Sequence, residues 1–129
     1  KAAQTLEKRG VSIEVIDARS IAPFDAATVV DSVRRTGHCV IADNDWVHCG
    51  FSAEAAATIY ESCLRELKTP IKRIGYAATP CPCTRPLENA FYPNAVDIIR
   101  AAEALLGLSP MDLSGENFYS YEHKFKGPF

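Results

Sequence analysis

The alternation of helical and strand-like segments along these 129 residues predicts an α/β domain, three-layered α/β/α on a mainly parallel sheet. Three observations carry that prediction. A helical apolar period runs through residues 52–67, where Ala56, Ile59, Tyr60, Cys63, Leu64 and Leu67 fall on one face. Short runs rich in β-branched residues, at 11–17, 38–42 and 70–75, separate the helical segments as right-handed crossovers require. Between the second run and the long helix lies Asp43-Asn-Asp-Trp-Val-His-Cys-Gly-Phe-Ser-Ala-Glu54. This is a turn at the carboxyl end of a strand, where open α/β sheets keep their ligand or partner sites.

The elements follow in order. Residues 1–9 are helical by composition, with Ala2, Leu6 and either Ala3 or Thr5 inward, and Gly10 is the natural stop. Residues 11–17 alternate apolar and polar, which suits a strand with one covered face. Pro23 excludes an early helix start, and Asp25 caps a helix that runs to Thr36, with Val29, Val30 and Val33 inward. Arg34 and Arg35 sit near its negative end as a solvated pair, and Gly37 terminates it. After the 38–42 strand, Gly50 permits a sharp turn, Ser52 is placed to cap the long helix, and Glu54 meets the positive end of its dipole. Residues 70–75 form a shorter, more polar edge strand. Four prolines between 76 and 93 argue against regular structure there. Asn94 caps a last helix to Leu106, with Asp97 in its first turn and Val96, Ile99, Ala102 and either Leu105 or Leu106 inward.

Composition narrows the function. The chain is 47% hydrophobic and 23% charged, so it can bury a core, and its length fits one domain. A net charge of −2 and no basic cluster interleaved with aromatics argue against nucleic acid and anionic membrane as partners. No segment reaches the roughly 20 apolar residues of a membrane span and no signal peptide is recognised, so a cytoplasmic setting is expected. The five cysteines, Cys39, Cys49, Cys63, Cys81 and Cys83, are odd in number and scattered, as reduced thiols are.

Several side chains around the turn could carry chemistry. Cys49 lies just ahead of a helix amino terminus with His48 beside it, so an activated thiol is physically reasonable, although adjacent residues seldom face each other. Cys81 and Cys83 could join a histidine on zinc, but structural zinc sites use a wider spacing and two such pairs, and packing of the loop is the simpler role. Cys39 and Cys63 fall on apolar faces and belong to the core. Trp46 and Phe51 flank the turn, either as plugs of the domain's own core or as anchors for a partner.

Glu14-Val-Ile-Asp-Ala-Arg-Ser-Ile-Ala-Pro-Phe-Asp25, Ser32-Val-Arg-Arg-Thr-Gly37, Asp45-Trp-Val-His-Cys-Gly-Phe-Ser-Ala-Glu54, Pro70-Ile-Lys-Arg-Ile-Gly75 and Phe91-Tyr-Pro-Asn94 occur in that order over residues 1–106. Together they resemble the carboxyl-terminal domain of the transketolase superfamily. The likeness is greatest to the β subunit of the thiamine-diphosphate-dependent component of 2-oxo acid dehydrogenase complexes, which act on pyruvate, branched-chain 2-oxo acids or acetoin. The sequence departs from that pattern at His48 and Cys49, at Cys81-Pro-Cys83, and after Leu106.

The resemblance implies an assembly role. In such enzymes thiamine diphosphate and magnesium are held by other domains, and the carboxyl-terminal domain pairs α and β subunits and helps dock the acyltransferase core. It implies no catalytic, cofactor-binding or metal-binding residue here, and the chain lacks the Gly-Asp-Gly segment with a following Asn that holds magnesium and the diphosphate. The competing expectation is an independent thiol or metal-binding module on the same sheet. The resemblance further implies a strand between runs 11–17 and 38–42 that this chain does not supply, so the expectation is part of a longer polypeptide.

Domain organisation is thus expected as 1–106 for the domain and 107–129 for a carboxyl-terminal arm. The arm's end carries Phe118, Tyr119, Tyr121, Phe125 and Phe129, an aromatic content unlike that of solvated tails. Their rings need pockets, on the domain itself or on a neighbour, and the enrichment of aromatics at subunit boundaries favours the neighbour. Trp46, His48 and Phe51 join them as expected interface residues.

Overall fold

The computed structural model describes residues 1–116 and 118, apart from the side chain of Arg85. Among these residues the elements are α1 (Ala2–Glu7), α2 (Ala26–Thr36), β1 (Val40–Ala42), α3 (Phe51–Cys63), β2 (Lys72–Ile74), α4 (Arg85–Phe91) and α5 (Ala95–Leu106). β1 and β2 pair in parallel, Val40 opposite Lys72 and Ala42 opposite Ile74. Helices α2 and α3 pack together with α3 on β1, while α5 packs on both strands and carries α1. The α/β class and the layered parallel arrangement follow the sequence expectation. No helix among the described residues is long and apolar enough to cross a membrane.

Local chemistry explains most boundaries. The Asp25 carboxylate accepts the Thr28 N–H (3.2 Å), capping α2, and Gly37 in the left-handed conformation ends it. Asn94 and Asp97 form a reciprocal capping box on α5, with Val96 N–H on Asn94 Oδ1 and Asn94 N–H on Asp97 Oδ2, both 2.8 Å.

Four expectations need correction. Residues 11–17 form no strand. Val11 and Ile13 are half-buried, as a period of two requires, but the period breaks at Val15, which is 74% exposed, with Ile16 half-buried instead, and no ladder forms with any described segment. Side-chain alternation specifies faces, not partners. The proline-rich connection contains α4, because Pro86 stands in its first turn, where a missing N–H costs nothing. The N-cap of α3 is Gly50, and Ser52 lies within the first turn, 1% exposed. Finally, α3 ends at Cys63, so Leu64 escapes the apolar face and is 61% exposed. Arg34 and Arg35 are also more engaged than a solvated pair: Arg34 donates to Ser62 O (3.1 Å), and Arg35 donates to both oxygens of Glu14 (2.7 and 2.8 Å).

The buried core divides into two clusters. Val30, Val33, Ile59 and Cys63 form one between α2 and α3, bordered by Cys39, Ile41 and Ile71 from the strand segments. Ala2, Leu6, Ile99 and Ala102 form the other between α1 and α5, flanked by Val11, Ile13, Met111, Leu113 and Phe118. Leu6, Ile59 and Ile99 are fully buried, each contributing about 2–3 kcal/mol of burial.

One charged group lies inside this packing. The Glu103 side chain, on α5, is 2% exposed. Its Oε1 accepts from Arg9 Nη1 and from the Met111 N–H (both 2.8 Å), and its Oε2 accepts from Arg100 Nη1 (2.7 Å). Arg9 also donates to Ser109 O (2.6 Å), and Arg100 to Met111 O (3.0 Å). The network fastens α1 and the segment after α5 to the same helix. Burial pushes the carboxyl upward, but the Arg100 hydrogen bond, the Met111 N–H and the charges of Arg100 and Arg9 outweigh it and hold Glu103 below its ordinary value of 4.5.

The thiols divide by burial. Cys63 is 1% exposed and donates to Ile59 O (3.2 Å), while burial pushes the Cys39 thiol to about 11, with Cys63 adding to the effect. Cys49, Cys81 and Cys83 are exposed, so the 81–83 loop does not pack its sulfurs away as expected.

Three outcomes are expected. Ile59→Ala should cost about 3 kcal/mol, read as a fall in the denaturant midpoint at constant slope; a loss of about 0.5 kcal/mol or less would show that α3 is not packed as described. Because the folded carboxyl of Glu103 is depressed, its contribution should be complete above pH 4.5 and disappear as pH falls through the lower folded value. Melting curves of Glu103→Gln between pH 3 and 7 should show a flatter acid limb, and an unchanged limb would count against the network. Titration of the native chain with an aromatic disulfide should find three fast thiols and two that react only on unfolding.

Candidate functional site

The turn after β1 is stitched to the exit of β2. Asp43 N–H donates to Ile74 O (3.0 Å), Tyr76 N–H to Asp45 O (2.9 Å), and Arg73 Nη1 to Val47 O (2.7 Å). Glycine is required at Gly75 for this approach, where a Cβ would collide with Asp45 O, and at Gly50 for the turn to close on itself, where a Cβ would collide with Trp46 O. Cys49 bridges the turn at φ +60°, a left-handed conformation that costs a non-glycine residue about 1 kcal/mol. Glu54 stands in the first turn of α3, where its charge complements the dipole.

Against this rigid turn lies an aromatic cluster. Tyr76 and Phe91 stack at 4.7 Å, and Trp46 meets each of them edge-on at 6.0 Å. Tyr92 sets its ring against Tyr76 at 5.3 Å and Phe91 at 5.1 Å. Phe91 is buried, whereas Trp46 and Tyr92 are each 41% exposed. Such edge-to-face pairs add about 0.5–1.5 kcal/mol beyond area burial. Trp46 is therefore both a plug and a projection. Phe51 is half-buried and packs edge-on to Phe24 at 5.3 Å, and His48 is exposed on the turn.

Phe118 lies elsewhere, against the cluster between α1 and α5, half-buried beside Met111 and Leu113. Tyr119, Tyr121, Phe125 and Phe129 fall outside the described residues. Tyr76, Phe91 and Tyr92 were not assigned a role by pattern. Their signal was available in hindsight of chemistry alone: three aromatics at the two ends of one proline-rich connection are close to each other if its ends meet, and Ala77 N–H on Phe91 O (3.0 Å) joins them.

The described residues gather no three His, Cys, Asp or Glu side chains into a cation-binding set. Cys81 Sγ lies 3.7 Å from the Tyr92 hydroxyl, and this contact raises the Tyr92 pKa. Among the described residues two buried acceptors, Asp43 Oδ2 and Asn89 Oδ1, have no partner.

Comparison with known proteins supplies the family. Residues 1–98 match the model of the transketolase, C-terminal domain. Over 106 residues the chain is 42% identical to the pyruvate dehydrogenase E1 component subunit beta of Staphylococcus epidermidis, covering 82% of this chain and 32% of that protein. The protein of the same name from Staphylococcus aureus is 41% identical over 106 residues, with the same coverage. The chain thus spans about a third of the length of these relatives. With its parallel β1–β2 pair between helical layers and this match across most of its length, the chain belongs to the transketolase carboxyl-terminal domain family.

Proposed function

We propose that this chain is the assembly and subunit-interface domain of the β subunit of a thiamine-diphosphate-dependent 2-oxo acid dehydrogenase of the cytoplasm. The parent enzyme oxidatively decarboxylates a 2-oxo acid and passes the acyl group to lipoyl groups, using thiamine diphosphate and magnesium held by its other domains. This domain binds neither; it pairs with α and β subunits and with the acyltransferase core. The likeness to pyruvate dehydrogenase E1 component subunit beta of two Staphylococcus species supports the enzyme class. The observation that carries the interface role is Trp46, fixed by edge contacts to Tyr76 and Phe91 yet 41% exposed. A large ring already ordered and half in water loses little entropy on docking, which is the property of an interface anchor. His48 and Phe51 on the same turn extend the surface, and the arm with Phe118, Tyr119, Tyr121, Phe125 and Phe129 adds further rings.

An independent thiol or metal-binding module is the rival reading. Exposed Cys49, Cys81 and Cys83 are its support.

The two separate experimentally. In the full-length β polypeptide, Trp46→Ala should weaken subunit association by about 2 kcal/mol in sedimentation velocity, and truncation after Phe118 should weaken it further. If either change lowers only the melting temperature, the affected rings pack on their own domain. Stoichiometric zinc on the purified protein would favour the rival.

A further inference from the structure

Strand β2 keeps one edge open. In a parallel pair, successive residues direct their backbone groups to opposite sides. Lys72 N–H donates to Cys39 O (3.1 Å), and Ile74 O accepts from Asp43 N–H (3.0 Å), so both residues turn toward β1. Arg73 between them turns its N–H and C=O away, and among the described residues neither has a partner. A groove of about 480 Å³ runs here, lined by β2, by α5 through Ala101 and Ala104, and by Phe91 and Tyr92. No residue of β1 lines it, which places it on the far side of β2. Small side chains at Gly75, Ala101 and Ala104 leave the edge room between α5 and the Ala90–Pro93 segment, and among the described residues no strand pairs with it.

Charge selects the occupant. Asp97, which accepts the Asn94 N–H (2.8 Å) and keeps its charge, is the groove's sole carboxylate among the described lining residues, against the cations Lys72, Arg73 and Arg100. Arg100 is neutralised by Glu103 at 2.7 Å. Lys72 forms no ion pair among the described residues, and Arg73 donates to the uncharged Val47 carbonyl (2.7 Å), so two cations stand uncompensated beside the open amide in a chain of net charge −2. We infer that the open edge of β2 accepts an extended acidic segment of a partner protein, whose backbone pairs with Arg73 and whose carboxylates meet Lys72 and Arg73. Backbone pairing would supply affinity and the two cations register. This inference rests on the free edge of β2, and the groove beside it adjoins the assembly turn through Val47, Phe91 and Tyr92.

The test uses the labelled peptide acetyl-Glu-Val-Glu-Phe-Glu-amide, with its Lys-Val-Lys-Phe-Lys counterpart as control, read by fluorescence anisotropy and by hydrogen exchange at the Arg73 amide. Arg73→Pro removes the edge donor without touching the ladder to β1, and Lys72→Glu reverses one exposed charge. The acidic peptide should bind and protect the Arg73 amide; Lys72→Glu should weaken binding by about tenfold, and Arg73→Pro should abolish it. Equal binding of the basic peptide, binding insensitive to Lys72→Glu, or an Arg73 amide that exchanges unchanged overturns the inference. A dimer of this protein that Arg73→Pro dissociates would also overturn it, assigning the edge to a second copy. Lys72→Glu keeps both Trp46 and the Arg73–Val47 hydrogen bond that steadies its turn, so subunit association measured on that variant separates failure here from failure of the assembly reading.

Discussion

The buried Glu103 carboxylate is the constraint on which the α1–α5 side of this domain depends. A charge with 2% of its side chain exposed is tolerable only when it is paired and its oxygens are satisfied. Here the partners come from three places, Arg9 after α1, Arg100 one turn back on α5, and the Met111 amide beyond Gly107. Satisfying one carboxylate therefore fixes the position of a short helix and of the chain's return. α1 has six residues and no side-chain cap, too little to persist by propensity, and it is held by Leu6 in the apolar cluster and by Arg9 at its exit.

The opposite end of the sheet is organised by close approach rather than charge. Gly75 lets the turn after β1 lie against the exit of β2, Gly50 lets the turn close on itself at Trp46, and three hydrogen bonds across the contact make it rigid. The aromatic cluster is built on that rigid turn. Trp46 projects from a fixed backbone, so its half-exposed ring is held in one orientation. The connection after β2, despite its prolines, returns through α4 and places Phe91 under that ring.

The two faces differ in what they offer a partner. The turn presents half-exposed aromatic area, while the open side of β2 presents unpaired backbone with cations beside it. Half-exposed aromatic area is the chemistry of a broad contact and a free strand edge that of an extended segment, and the two surfaces meet at Val47, Phe91 and Tyr92.

What the sequence determined by itself was local. The helical period of α3 as far as Cys63, the caps of α2 and α5, the stop at Gly37, and the α/β order are all consequences of short-range chemistry, and each stands where the residues implied. The position of the turn, and Trp46 within it, was legible for the same reason. Only the tertiary structure decided the rest. Residues 11–17 carry strand periodicity without a ladder, since a strand exists through a neighbour that its own residues do not encode. Pro86 begins a helix rather than breaking one, because proline's effect depends on its place in the turn. Glu103 reads from sequence as a polar residue on a helix; that it is buried, and held by Arg9 from 94 residues away, follows from packing that brings distant segments together.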